Sequence, residues 1–255
     1  MNSSTPRRLA AASMALAALL AIAGFTALGS VFDYPTILKS GTADILTLHR
    51  QHQGAVTGWF LVLAISAALL APAGIYLGRV AGGTLGRWIA AIGIAAATVQ
   101  VIGLSRWVLL VPGLSDAATD PSRTAEAHHT FELLHLWLGT VLGETIGYAL
   151  TGTFTVLVAF ALTRGLAPRW MTYLGYAAGA LIVTGVIIPL GVEPAGLSNF
   201  FGYIVWCLWL LALAVILWRP RTADPSSATP TGATLSERDA GTADDSPPIS
   251  VEGRP

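Results

Sequence analysis

An all-α polytopic membrane fold, six transmembrane helices in one bundle followed by a disordered C-terminal tail, is predicted by three features of this 255-residue chain. They are its composition, the length of its apolar runs, and the alternation of positive charge between the connections. Hydrophobic residues make up 54% and charged residues 11%, whereas a soluble domain carries about 25% charged residues. Mean hydropathy is +0.65, so lipid is the expected solvent and the bilayer the expected partner. The one cysteine, Cys207, rules out an intramolecular disulfide and sits inside an apolar run, where it reads as a small packing residue.

Six stretches reach the roughly 20 apolar residues that a helix needs to cross about 30 Å of hydrocarbon. They lie near Leu9 to Phe32, Trp59 to Leu77, Trp88 to Val111, Leu142 to Leu162, Met171 to Leu190 and Phe200 to Trp218. The first, led by Arg7 and Arg8 and ending Ala27, Leu28, Gly29, also has the layout of a secretory signal. Retention as a span is favoured, because the run exceeds the usual signal-peptide core.

Arginines fall in alternate connections: Arg7 and Arg8, Arg79 and Arg87, Arg164 and Arg169, Arg219 and Arg221. The other side has Lys39, Arg50 and Arg123. The positive-inside rule then places both termini in the cytoplasm. Trp59, Trp88, Trp170 and Trp218 stand at predicted helix ends, where indole rings anchor at the headgroups.

The first outer connection begins FDYP and has Thr42 as an N-cap candidate with Asp44 behind it. A helix starting there is expected to run straight into the second span. The second outer connection, SDAATDPSRTAEAHH, is expected to start a helix at Thr124 with Glu126 in its first turn. The fourth helix then has an outer extension from Ala125, and from Thr124 to Leu162 it measures roughly 57 Å at 1.5 Å per residue. After Arg221 the chain turns to Pro, Ser, Thr, Gly and Asp with few large apolar residues. Such a segment, 222–255, does not bury enough surface to offset its ordering entropy and reads as a disordered cytoplasmic tail. No basic, aromatic-interleaved stretch suggests a nucleic-acid partner.

The polar residues that remain define where a site would be. Gly139, Gly143 and Gly147 form a GxxxGxxxG ridge that admits a neighbouring helix closely. Packing within the bundle, against a third helix rich in Ala and Gly, is its expected use, and homo-oligomerisation is the competing one. Arg106 and Glu144 are the charges inside apolar sequence. A central Arg costs about 2.5 to 3.5 kcal/mol on insertion scales, so such groups face inward and pair. Arg106 lies nineteen residues from Arg87 and Glu144 twenty from Arg164, about 28 and 30 Å of helix. A salt bridge between the two is expected. Gln100 and the threonines of the fourth span read as interhelical hydrogen-bonding groups.

All five histidines, His49, His52, His128, His129 and His135, fall on the outer side. His128, Glu132 and His135 share a helix face at i, i+4 and i+7, and His49 and His52 stand i, i+3. The two sets reach one level above the membrane, a geometry compatible with zinc or another divalent metal on His128, Glu132 and His135. There is no HExxH motif, and interfacial histidines hydrogen-bonded in an outer cap are the simpler reading. The candidate ligand-binding residues are Arg106, Glu144, Glu132, His135, His49 and His52, around a polar pocket on the outer face.

FDYPTIL after the first span, GETIGYALTGTFTVLVAF, APRWMTYLG and NFFGYIVWCLWLLALAVILWR together resemble a family of bacterial multi-pass membrane proteins classed as a domain of unknown function. The resemblance covers roughly Ala10 to Arg219. It implies an integral membrane fold and carries no activity across. Three function classes follow from the residues: binding of a small ligand or metal at the outer pocket, a membrane-embedded metal-dependent hydrolase, and a small-solute transporter. The hydrolase, loosely similar to alkaline-ceramidase-like enzymes in having His and acidic groups on membrane helices, lacks an HxxxH pair. The transporter lacks broken helices at corresponding positions of two halves.

Overall fold

A computed structural model describes residues 4–219; the predicted tail, 222–255, lies outside them. Among the described residues the elements are α1 (Ser4–Phe32), α2 (Thr42–Gln51), α3 (Gln53–Ala68), α4 (Leu70–Ala81), α5 (Gly83–Leu109), α6 (Val111–Ala117), α7 (Thr124–Leu134), α8 (Gly147–Leu162), α9 (Arg169–Val183) and α10 (Glu193–Trp218). A π-helical segment, His135–Ile146, joins α7 to α8, and 3-10 segments cover Thr36–Lys39 and Thr184–Leu190. These assemble into six helices long and apolar enough to cross a membrane: Thr5–Phe32, Gln53–Ala81, Gly83–Ala117, Thr124–Leu162, Arg169–Leu190 and Pro194–Trp218. The protein is a multi-pass membrane protein.

The spans form a closed ring in chain order. α1 packs on α3 and α4, α4 on α5, α5 on α8 and the π segment, α8 on α9, α9 on α10, and α10 back on α1. Short connections force this up-and-down order, since a chain that leaves one helix with few residues to spare must descend beside it. The tightest is between α4 and α5, where Gly82 and Gly83 both take positive φ (68° and 58°), a conformation that a side chain would strain. The first span closes the ring and buries Ala10, Met14, Ala17 and Ala18 in its core.

The ring's outer surface is a belt of exposed Leu16, Leu19, Ile22, Leu61, Ile65, Phe160, Leu208 and Val215, stable only against lipid. Trp88, Trp170 and Trp218 stand exposed at the arginine-bearing end. The opposite end carries α2, α6 and α7 and is called the cap end. Its own core joins Leu28, Phe32, Leu46, Phe60, Trp107 and Phe131.

Two features depart from the sequence-based expectation. The helix begun at Thr42 does not run straight into the second span. It breaks at His52 (φ −124°, ψ 27°) before α3 begins, and α2 packs on α6 and α7. The fourth helix does start at Thr124 with Glu126 in its first turn and reaches Leu162. Its middle twelve residues, however, are π-helical. π geometry normally appears as single-turn bulges, often at functional sites, so a stretch of this length marks the region around it.

Candidate functional site

The site begins with a register between two helices. On α5, Gln100, Gly103 and Arg106 recur at i, i+3 and i+6, one face of a helix. Opposite them, antiparallel, stand Gly147, Gly143 and Gly139. A Cβ on Gly147 would lie 3.0 Å from Gln100 Nε2, one on Gly143 3.7 Å from the Gly103 Cα, and one on Gly139 2.8 Å from Arg106 Nη2. The glycine ridge therefore faces the third span within the chain. Only its middle member serves close backbone approach. The outer two clear space for a polar side chain to lie flat against the helix.

Arg106 is 5% exposed. Nη1 donates to the Gly103 carbonyl oxygen, Nε is buried without an acceptor, and the guanidinium lies 5.3 Å from the centre of the Trp107 ring. His135 Nδ1 reaches the same space over Gly139, 3.4 Å from where that Cβ would stand, and is buried without a partner. Glu144, Tyr34 and Tyr148 are near enough to act on Arg106 electrostatically. The expected salt bridge is corrected: among the described residues Arg106 and Glu144 share this space without forming a direct ion pair. Matching depths along two helices say nothing of rotation about their axes, and the guanidinium is turned to Gly139 rather than to Glu144.

Tyrosines complete the walls. Tyr34 follows the first span, where Asp33 takes φ 50° and the Tyr34–Pro35 bond is cis. Burial pushes its phenol up to about 12, and the neighbouring Glu144 pushes the same way. Tyr34 is thus a neutral hydroxyl donor at any ordinary pH. Tyr148 packs edge-on to Tyr203 of α10 at 5.7 Å, and Gln100 Nε2 donates to the Tyr203 hydroxyl at 3.3 Å. Buried Thr151 lies beside that hydroxyl. Gly185, in the 3-10 end of the fifth span, gives Tyr148 and Asn199 room, and Asn199 Nδ2 satisfies the Ile182 carbonyl at 2.8 Å. The result is a cluster of polar side chains, called the chamber, between the third, fourth and sixth spans in the cap-end half of the bundle. Deeper toward the arginine end the axis is filled by fully buried Phe154, Ile89 and Trp209.

The predicted site residues divide. Arg106, Glu144 and His135 come together in the chamber. His49 does not join them: it is fully buried, with Nδ1 3.2 Å from Ser115 Oγ, its ring edge-on to Phe32 and stacked near Trp107. Burial pulls it down to about 4, against a weaker opposite pull from Asp116, so it is a neutral ring in an aromatic core. The rings of His49, Trp107, Phe131 and His135 follow one another at 6.2, 6.0 and 5.8 Å, which links the cap core to the chamber. His52 is exposed at the break before α3. Glu132 is exposed, and Thr42 Oγ1 donates to its Oε1 at 3.0 Å, so the extensions of the second and fourth helices do lean on each other, through these two rather than through histidines.

The three residues expected to hold a metal, His128, Glu132 and His135, have different surroundings. Among the described residues no three His, Cys, Asp or Glu side chains are grouped to hold an ion. Glu132 faces α2 while His135 stacks inward on Phe131, and His128 stays half-buried on α7. An open groove of about 630 Å³, lined by Gln53, Gly54, Thr57, Gly58, Val108 and Pro112, lies beside the cap. It has no charged lining residue. Sequence reasoning missed Tyr148 and Tyr203; a phenol several turns inside an apolar span needs a partner for its hydroxyl, and that was the available signal.

The family of domains of unknown function DUF4386 matches residues 9–214, and the chain belongs to it. No curated protein and no solved structure matches the chain.

Proposed function

We propose that this family member binds a small polar ligand in the chamber walled by Arg106, Glu144, His135, Gln100, Tyr148 and Tyr203. One observation carries the reading. A guanidinium has five N–H donors, and Arg106, buried inside a membrane-spanning helix, is given one protein acceptor, the Gly103 carbonyl. A charge so placed is costly to insert, and intramembrane ionisable groups of this kind mark sites for substrates or ions. Glycines that clear space for polar side chains, and a long π segment on the same wall, point the same way. The distribution of arginine supports an orientation with the cap outside and both termini in the cytoplasm, so the chamber would be reached from outside.

Dispersed histidines favour this reading over a metal-dependent hydrolase, which needs three converging ligands. Large side chains packed below Gln100 and Tyr203 favour it over a transporter, which needs a path onward. The test is native mass spectrometry of the detergent-purified protein beside its Tyr203→Phe and Arg106→Gln variants. The expected result is a low-mass solute released stoichiometrically from the wild type and depleted at least tenfold in either variant. Equal solute content in all three would overturn the reading.

A further inference from the structure

The chamber contains one guanidinium with more donors than acceptors, and that imbalance bears on the ligand's charge. We propose that Arg106 binds an oxyanion, a carboxylate or phosphate, through its unpartnered N–H groups, with the Tyr34 and Tyr148 hydroxyls as flanking donors; this rests on the reading of the chamber as a binding site.

Three observations carry it. First, the guanidinium is held in place from behind rather than neutralised. Nη1 is tied to the Gly103 carbonyl of its own helix, and the plane lies near the Trp107 ring. An arginine fixed in this way presents its remaining N–H groups as a preorganised fork, the geometry that matches two oxygens of one anion. Second, the guanidinium is seated on the bare backbone of Gly139, where a Cβ would stand 2.8 Å from Nη2 and 3.0 Å from Cζ, so it is the glycine that admits the charge to this wall. Third, the groups near Arg106 are weighted toward donors. Tyr34 and Tyr148 are hydroxyls, and Tyr34 stays protonated. Of the groups acting on Arg106 Glu144 alone is a carboxyl, and it makes no ion pair with the guanidinium. A cationic ligand would have to sit beside the unneutralised guanidinium, which in this low-dielectric setting is repulsive. An oxyanion instead neutralises it. Both a lipid headgroup and a soluble acid offer this chemistry.

The experiment uses the full chain purified in a maltoside detergent, which is uncharged, with the thermal midpoint followed against sodium acetate, sodium phosphate and sodium chloride at matched ionic strength. A parallel arm places the protein in nanodiscs of phosphatidylcholine with and without phosphatidylglycerol. Acetate or phosphate is expected to raise the wild-type midpoint beyond chloride, with affinity at least tenfold weaker in Arg106→Gln and tighter in Glu144→Gln. Arg106→Lys retains the charge without the fork, guards against misfolding of the Gln variant, and is expected to fall between. A response to phosphatidylglycerol alone assigns the anion to lipid; a response to the soluble salts alone assigns it to a soluble acid. The proposal is overturned if anions act equally on wild type and both Arg106 variants. It is equally overturned if exchanging the charges, Arg106→Glu with Glu144→Arg, restores the wild-type midpoint that each single change lowers, since the two would then be each other's counter-ion. A wild type stabilised by choline or ethanolamine but not by anions would sink the anion assignment and leave the chamber standing. No response to any solute, with no co-purifying solute, would remove both.

Discussion

Two glycines on the same interface are expected to respond unequally to the same substitution, and the difference can be worked from distances. Gly103→Ala would place its methyl 3.0 Å from the Leu138 carbonyl oxygen and 3.1 Å from the Gly143 Cα. Both are backbone atoms, so two spans must separate, and overpacking of this kind costs about 1 to 3 kcal/mol. Gly139→Ala would place its methyl 2.8 Å from Arg106 Nη2 and 3.0 Å from Cζ, the far end of a flexible side chain. The guanidinium must then give up its seat beside the Gly103 carbonyl and Trp107, but no backbone has to part and the substitution recovers about 0.4 to 1 kcal/mol of unfolded-chain entropy, so the net cost should stay below that of Gly103→Ala. Unfolding in mixed detergent micelles measures both. The coupling between Gly139→Ala and Arg106→Ala provides the decisive number: residues in contact couple by about 0.5 to 3 kcal/mol, and Gly139→Ala should become neutral or stabilising once the arginine is gone. Strict additivity, or a Gly139→Ala cost equal to that of Gly103→Ala in both backgrounds, would refute the placement of the guanidinium over the glycine.

Further outcomes follow from the cap. His49 has its folded-state value lowered from 6.5 to about 4, so the folded state favours the neutral ring. Its contribution is complete above pH 6.5 and is lost as pH falls toward 4. At about 1.4 kcal/mol per unit, the loss is about 3 kcal/mol at most. Melting curves between pH 7 and 4 should show this slope in the wild type and lose it in His49→Phe; an unchanged slope in the variant would count against the buried neutral ring. For the metal question, inductively coupled plasma analysis of wild type and His135→Ala should give the same zinc, copper and iron content. Stoichiometric metal lost in the variant would restore the two-helix metal site.

How much of the site was legible depends on which coordinate each signal reports. Hydropathy and helical rise report position along the membrane normal. They brought out the six spans, the overlong fourth helix, and the similar depth of Arg106 and Glu144. The glycine ridge reported a face, and that face does meet the third span. None of these signals contains the rotation of one helix about its axis relative to another, which is why a matched depth became an expected salt bridge and a shared level became an expected metal site. The same limit hid the tyrosines: Tyr34, Tyr148 and Tyr203 come from three different spans or their ends, and only the closing of the ring brings them to one space.

What the chain determined by itself is what lipid enforces residue by residue: apolar runs of spanning length must be helices whose backbone groups bond internally, and alternating arginine marks their two ends. What the tertiary structure decided is the pairing across helices. His135–Ile146 has the same apolar pattern whether its amides bond four or five residues back, so its π form is not written in that pattern. It stands where the fourth helix carries two of the three ridge glycines, against Arg106 and Gly103 of the third. There the lateral contacts, which lie far apart in sequence, set the geometry that local propensity leaves open.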